Sequence, residues 1–198
     1  MEKKQFYDFI VKMQAISKIG LLFSKDEYAI DNYRQINDLS AKMLASFTEL
    51  EFERPNYFKR DIYPTPNVST RVVVFNEKGK LLLVKEAKTG TYSIPGGWCD
   101  LYDAPSQAAL NEVLQEAGLE VKITRLVGVV DRTPNVAVPE YVIVFQAVPI
   151  SDFRPHGYET TGVGYFDLNH LPELSHKLSL EEIKRIIAAC LNGDTIFD

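Results

Sequence analysis

The chain has 198 residues, of which 45% are hydrophobic and 25% are charged, as in ordinary globular proteins. The formal net charge of -5 argues against a general nucleic-acid-binding protein, and no basic run stands out. No apolar stretch approaches the roughly 20 residues of a membrane span, and residues 1–5 lead into an amphipathic pattern and not into the apolar core expected of a signal peptide. Two cysteines are too few for a disulfide framework, so we expect a cytoplasmic protein with no membrane association.

The first 48 residues carry apolar side chains at helical spacing and predict two helices. Gly20 is a weak point in the first helix, and Ser24–Asp26 separates the two. The first apolar stripe comprises Phe6, Phe9, Ile10, Met13, Ile16 and Ile19, and the second comprises Tyr33, Ile36, Leu39, Met43, Leu44 and Phe47.

This helical hairpin, residues 1–62, is too small to bury both apolar stripes by itself. It can pack on the rest of its own chain or on a second copy. Prolines at 55, 64 and 66 predict an extended linker over Glu53–Asn67, which favours the second copy. We therefore expect a homodimer in which the hairpin forms much of a two-fold interface.

Residues 63–198 predict a second domain with strands and two helices. Arg71–Phe75 and Leu81–Val84, separated by a turn containing Gly79, predict a β-hairpin. Val121–Asp131, Tyr141–Val148 and Gly164–Leu168 predict further strands, and Leu180–Leu191 predicts a C-terminal helix. This order of elements indicates an α/β class domain, specifically an α/β/α sandwich.

The segment from Tyr92 to Gly118 has the most specific pattern. A short strand runs into Pro95-Gly96-Gly97, and glycines permit backbone conformations that other residues avoid. A helix is predicted to begin with Asp103 as N-cap and Pro105 in its first turn, and to end at Gly118. Its apolar side chains at i, i+4 and i+8 are Ala109, Val113 and Ala117.

Glu112, Gln115 and Glu116 are spaced i, i+3, i+4 on this helix and therefore share a face. Two carboxylates, an amide and the carbonyls of a neighbouring glycine loop make an all-oxygen site. Such a site suits Mg²⁺ or Mn²⁺. The competing interpretation of an isolated pair of this kind is a solvated acidic helix face.

The stretch from Gly97 to Leu119 resembles a Nudix box, and the similarity to one bacterial Nudix subgroup covers nearly the whole chain. Three positions depart from the box: Asp103 replaces its first Glu, Asn111 its Arg, and Gln115 the first Glu of its final pair. The matching positions are Gly97, Glu112, Val113, Glu116, Gly118 and Leu119.

The resemblance implies a mixed-sheet Nudix fold and hydrolysis of nucleoside diphosphates linked to another moiety, such as ADP-ribose, CDP-choline or UDP-sugars. It assigns catalysis to Glu112 and Glu116. The metal ligands it implies are Glu112, Gln115, Glu116 and the Gly96 carbonyl. Structural roles in the box fall to Gly97, Asp103, Asn111 and Gly118.

Three further residues are candidates for substrate binding. Arg132, which follows Asp131, can contact phosphate or ribose, or can form a plain surface salt bridge. Trp98 can stack on a base or pack within its loop.

The departures predict an impaired or diverged site. An amide at Gln115 brings no negative charge and cannot act as a base. Gly162 stands where the subgroup has an acidic residue, which leaves Glu159 as the nearby carboxylate. Asn111 and Asp103 could compensate for each other through a hydrogen bond. The alternative function is a catalytically silent Nudix-fold protein that binds nucleotides as a sensor.

Overall fold

The structure is a computed structural model that describes residues 3–46, 66–132 and 140–198. The chain divides into two compact units, Met1–Pro64 and Thr65–Asp198. The predicted boundary after residue 62 lies outside the described residues, as does the predicted linker as far as residue 65.

The first unit contains two helices, α1 (Lys3–Phe23) and α2 (Glu27–Ser46), as predicted for the described residues. The break falls at residues 24–26, where the Asp26 carboxylate accepts a hydrogen bond of 2.7 Å from the Ala29 N–H and caps α2. Gly20 does not break α1. A Cβ on Gly20 would lie 2.5 Å from the Tyr33 ring, so glycine allows the two helices to approach closely.

The apolar stripe predicted for α1 is only partly buried. Ile10 of this stripe is buried, whereas Phe9 is 57% and Ile16 is 46% exposed; Tyr7 and Val11, which the prediction did not include, are buried beside Ile10. The helix therefore has a buried face and, beside it, an uncovered apolar surface.

The described residues of the second unit, 66–132 and 140–198, form six strands and two helices. The strands are β1 (Asn67–Val74), β2 (Leu81–Glu86), β3 (Tyr92–Ser93), β4 (Val121–Asp131), β5 (Glu140–Pro149) and β6 (Thr160–Phe166). The helices are α3 (Pro105–Ala117) and α4 (Leu180–Asn192). The predicted strands are thus present, with β6 beginning four residues before the predicted Gly164.

The predicted hairpin of β1 and β2 is wrong. Asn76 forms the expected turn, and its side chain accepts hydrogen bonds from the N–H groups of Lys78 and Lys80. Beyond a single bridge between Phe75 and Leu81, however, the two strands diverge into different sheets. One sheet has the order β1-β5-β4, with β1 parallel to β5 and β4 antiparallel to it, and the other is antiparallel with the order β3-β2-β6.

The two helices cover opposite faces of these strands, which confirms the α/β/α sandwich. Val72, Val74, Leu82 and Val84 form a cluster with the predicted α3 stripe. The alternate residues Val73, Leu81 and Leu83 cluster instead with α4, whose contacts are Ile183, Ile186, Ile187, Ala189 and Cys190. Each fully buried Val or Leu contributes about 1.5–3 kcal/mol of hydrophobic stabilisation. The first cluster therefore fixes α3 against the sheet, and the second fixes α4.

A capping box begins α4: the Ser179 hydroxyl accepts from the Glu182 N–H at 3.1 Å, and the Glu182 carboxylate accepts from the Ser179 N–H at 2.6 Å. In the described parts of the chain, no helix combines the length and apolarity needed to cross a membrane.

Candidate active site

The glycine loop after β3 lies along the edge of β1. The Pro95 carbonyl accepts from the Val72 N–H at 2.9 Å, and the Gly97 carbonyl accepts from the Thr70 N–H at 2.8 Å. Gly96 has φ +146°, and a Cβ on it would lie 2.1 Å from the Thr70 carbonyl oxygen. Only glycine therefore permits this path, which delivers the loop to the start of α3.

The ends of α3 agree with the prediction at Pro105 and Gly118 but not at Asp103. Ala104 is the N-cap, with φ -66° and ψ 143°, and it provides no side-chain cap. Proline restricts the residue before it to extended conformations, as the N-cap position requires, so the helix begins one residue later than predicted. Gly118 ends the helix with φ 63°.

The carboxylates of α3 face the glycine loop. Glu116 is 5% exposed, and its Oε2 accepts a hydrogen bond of 2.8 Å from the Gly96 N–H. Glu112 lies one turn earlier, and a Cβ on Gly97 would be 2.6 Å from its Oε1. The two glycines thus make room for two acidic side chains in a partly buried space.

Burial and neighbouring negative charges raise the pKa values of these carboxylates. The pKa of Glu112 is raised to about 7, first by burial and then by the charges of Glu116 and Glu159. Burial also raises the pKa of Glu116, while the Gly96 N–H and the nearby cations oppose the shift. The surroundings therefore stabilise the ionised form of these carboxylates less well than water does.

Two cations that the sequence analysis missed act on this cluster. Arg71 on β1 is 5% exposed, and its Nη1 donates to the Thr70 carbonyl at 2.7 Å. Lys177 lies 3.1 Å from the Glu86 carboxylate through its Nζ. Both charges lower the pKa values of Glu112 and Glu116. The position of Arg71 directly before a run of valines could have indicated a buried arginine, whereas no sequence pattern indicates that Lys177 acts on these glutamates.

Of the residues that depart from the family pattern, Asn111 and Gln115 lie on α3, and Gly162 lies on β6. The Gln115 side chain is exposed, one position away from the buried Glu116. Asn111 accepts a hydrogen bond of 2.9 Å from the Gln107 amide, so its partner is the preceding turn of α3. Gly162 is paired with Lys85 in the β2–β6 ladder.

Arg132 belongs to a buried network and not to a surface salt bridge. It is 8% exposed, its Nη1 donates to the Glu140 carboxylate at 3.2 Å, and its Nε lies 3.9 Å from Glu182. The same Glu140 carboxylate accepts a hydrogen bond from the Ser69 hydroxyl. This network supports one wall of a cavity of about 850 Å³ that segment 171–182 also lines.

The other two candidates for substrate binding lie at β1 and β4, which β5 separates within one sheet. Trp98 is 45% exposed and forms a backbone bridge with Ser69 on β1. Asp131 ends β4, and its N–H donates to the carboxylate of Asp198.

The donor set fits a hard divalent cation that keeps part of its water shell. Within residues 3–46, 66–132 and 140–198, no three His, Cys, Asp or Glu side chains form a complete metal cage. Mg²⁺, however, is usually held by one or two carboxylates together with waters and substrate phosphates. Glu112 and Glu116 provide two carboxylates whose excess negative charge a cation would neutralise.

Comparison with known proteins gives the same picture. The NUDIX domain model matches residues 65–189, and a model described as a UDP-X-like, N-terminal oligomerisation domain matches residues 4–55. YjhB of Bacillus subtilis (strain 168), whose name provisionally assigns it ADP-ribose pyrophosphatase activity, is 33% identical over 172 residues, covering 84% of this chain and 82% of that protein.

Two solved structures are similar as well. The match to the crystal structure of a UDP-X diphosphatase covers 98% of this chain and 98% of that chain, with a TM-score of 0.66 and 23% identity. This match supports the fold. An ADP-ribose pyrophosphatase from Streptococcus suis is 34% identical, with a TM-score of 0.56, and covers 64% of this chain and 92% of its own. The glycine loop, the two carboxylates of α3 and these matches agree, and the chain belongs to the Nudix hydrolase family.

Proposed function

We propose that this chain is a metal-dependent pyrophosphohydrolase that cleaves a nucleoside diphosphate linked to another moiety into a nucleoside monophosphate and a phosphorylated product. The observation that carries the proposal is the pair of partly buried carboxylates, Glu112 and Glu116, facing the Gly96-Gly97 loop. The names of the similar proteins, which refer to ADP-ribose and UDP-X, support substrates of this class.

Glu112 and Glu116 would hold Mg²⁺ or Mn²⁺, with the Gly96 carbonyl and the Gln115 amide as further oxygen donors. When bound, the metal would neutralise pyrophosphate oxygens and lower the pKa of an attacking water. The Gly96 N–H fixes one oxygen of Glu116 and leaves the other available. Glu159 adds a third negative charge that acts on both glutamates and is a candidate to orient the water.

The remaining site residues would bind the substrate outside the pyrophosphate. The half-exposed Trp98 ring offers a surface for stacking a base, and Arg132, which follows Asp131 at the end of β4, lines the 850 Å³ cavity. Because Arg132 is already paired with Glu140, we assign it to shaping this cavity and contacting ribose.

A substrate panel with a matched pair of variants tests the proposal. Purified protein with Mn²⁺ should release a nucleoside monophosphate from ADP-ribose, CDP-choline or a UDP-sugar, and Glu116→Gln should abolish the release. Glu120→Gln is the control, because Glu120 forms an exposed ion pair with Arg154 and such pairs contribute little. Activity unchanged in Glu116→Gln would refute the role of Glu116. Binding of nucleotides without turnover would favour the sensor.

We further propose that residues 1–62 form the assembly module of a homodimer and residues 63–198 its catalytic domain. The match to an oligomerisation domain and the uncovered apolar side chains of α1 support this. Phe9→Asp with Ile16→Asp should convert the dimer to a monomer in light scattering. Leu191→Asp, which places the same charge at an exposed position of α4, should leave the dimer intact.

Both cysteines, Cys99 and Cys190, are free thiols, which is consistent with a protein that functions in the reducing cytoplasm.

A further inference from the structure

The segment between β5 and β6 bonds to the last turn of α3. The Arg154 N–H donates to the Gly118 carbonyl at 2.8 Å, and the Gly157 N–H donates to the Gln115 carbonyl at 2.6 Å. Carbonyls in the last turn of a helix have no intrahelical donor and need partners from elsewhere. We call residues 154–160 the strap, since they supply such donors to the end of the helix that carries Glu116.

Thr160 makes the central contact of the strap. It is 5% exposed, and its Oγ1 lies 2.6 Å from the Glu116 carbonyl oxygen. A carbonyl only accepts, so the threonine hydroxyl donates its single proton to Glu116. The His156 Nδ1, 2.8 Å from the same hydroxyl, must therefore donate to it and carry a hydrogen. This chain of donors fixes the direction of the hydroxyl at Glu116.

The strap also places Glu159 beside the cluster. The Glu159 carbonyl accepts from the Ala87 N–H at 2.9 Å, which ties the residue before Thr160 to the end of β2. The charge of Glu159 raises the pKa values of both Glu112 and Glu116 and so reaches the same space. One residue, Thr160, therefore links the backbone of Glu116 to the segment that carries the third carboxylate.

We propose that Thr160 is a positioning residue, which sets Glu116 and Glu159 at the spacing that metal binding and hydrolysis require. The inference rests on the proposed function, because it takes Glu116 as a metal ligand. Removing a group that orients a metal ligand from outside typically costs about 10- to 100-fold in metal affinity or activity. A hydroxyl that merely satisfied a buried carbonyl would alter stability and leave metal affinity unchanged.

Three threonine variants separate these cases. Thr160→Val keeps the shape and removes the hydroxyl, whereas Thr160→Ser keeps the hydroxyl. Thr124→Val is the matched control. The Thr124 hydroxyl lies at an exposed position of β4 and also donates to a backbone carbonyl, that of Gln146, at 3.1 Å. Mn²⁺ affinity would be measured by electron paramagnetic resonance of the free ion, far below the melting temperature, together with kcat and KM.

We expect Thr160→Val to weaken Mn²⁺ binding and to lower kcat by about 10-fold or more, with KM changing less than kcat. Thr160→Ser should restore most of both, and Thr124→Val should match the wild type. Should Thr160→Val not fold, His156→Ala, which frees the hydroxyl to rotate, should weaken Mn²⁺ binding in the same direction.

Wild-type Mn²⁺ affinity and kcat in a folded Thr160→Val protein would overturn the inference, as would a serine variant as impaired as the valine variant. If only His156→Ala folds, wild-type Mn²⁺ affinity in that variant would overturn it too. A failure of the proposed function looks different, because the wild-type protein itself would then show neither Mn²⁺ binding nor turnover.

Discussion

Gly97→Ala should lower the activity of this protein while changing its stability little. The backbone at Gly97 lies outside the left-handed region, so alanine introduces no conformational strain there. Its Cβ, however, would lie 2.6 Å from Oε1 and 2.8 Å from Cδ of Glu112. The carboxylate must retreat by about 0.8 Å to reach the roughly 3.4 Å of ordinary contact.

This displacement of the Glu112 carboxylate should reduce stability only slightly but reduce the reaction rate strongly. Glu112 is a flexible side chain, and a distorted rotamer costs about 0.5–1.5 kcal/mol. A shift of about 1 Å in a positioned group can cost about 100-fold in rate. We therefore expect kcat/KM to fall by about 10- to 100-fold, while the free energy of unfolding falls by less than about 1.5 kcal/mol.

Mn²⁺-dependent release of nucleoside monophosphate and urea unfolding would be measured on the same preparation. Gly164→Ala is the control, because its nearest contact would be the Phe166 ring at 3.4 Å, an ordinary distance. It should leave both quantities near their wild-type values. Full activity in Gly97→Ala, or a loss of activity explained by global unfolding, would refute the placement of Glu112 against the glycine loop.

Three further predictions follow from the same geometry. Gly96→Ala should fail to fold, because its Cβ would lie 2.1 Å from a backbone carbonyl at φ +146°, and soluble expression would test this. Gln115→Glu should tighten Mn²⁺ binding several-fold in titration by adding a ligand charge, whereas Gln107→Glu, with the same charge earlier on α3, should not. Burial raises the pKa of Glu86, but the charge of Lys177 and the hydrogen bonds that Glu86 accepts outweigh burial, so the pKa of Glu86 lies below its ordinary value. Ionised Glu86 therefore stabilises the folded state above its ordinary pKa of about 4.5, and this stabilisation is lost as pH falls through the lowered pKa. In urea unfolding, the difference in stability between wild type and Lys177→Met should shrink from pH 6 to pH 3.

Local signals in the sequence predicted the elements that carry the site. Periodicity located the buried stripe of α3, and proline and glycine marked its ends. The predicted N-cap, Asp103, lies one position too early, since its side chain suits the role but Pro105 holds Ala104 in the extended conformation that an N-cap requires. The carboxylate spacing was correct because both residues lie on one regular helix.

Contacts between distant segments could not be predicted from one sequence. The run of β-branched apolar residues indicates that β1 is a strand but does not identify β5, some 70 residues later, as its partner. Lys177 and the strap residue Thr160 reach α3 only through the sheet topology. The sequence alone indicates that Arg132 is a surface residue or a substrate ligand. Its burial depends on Glu140, a partner that no local pattern indicates.

Product analysis by mass spectrometry tests the central claim most directly. Wild-type protein with Mn²⁺ would be incubated with ADP-ribose, CDP-choline and UDP-sugars, alongside Glu116→Gln and Glu120→Gln. We predict a nucleoside monophosphate and its phosphorylated partner from at least one substrate with wild type and Glu120→Gln, and neither product with Glu116→Gln. Intact substrates in every wild-type reaction, or identical products from Glu116→Gln, would contradict the account.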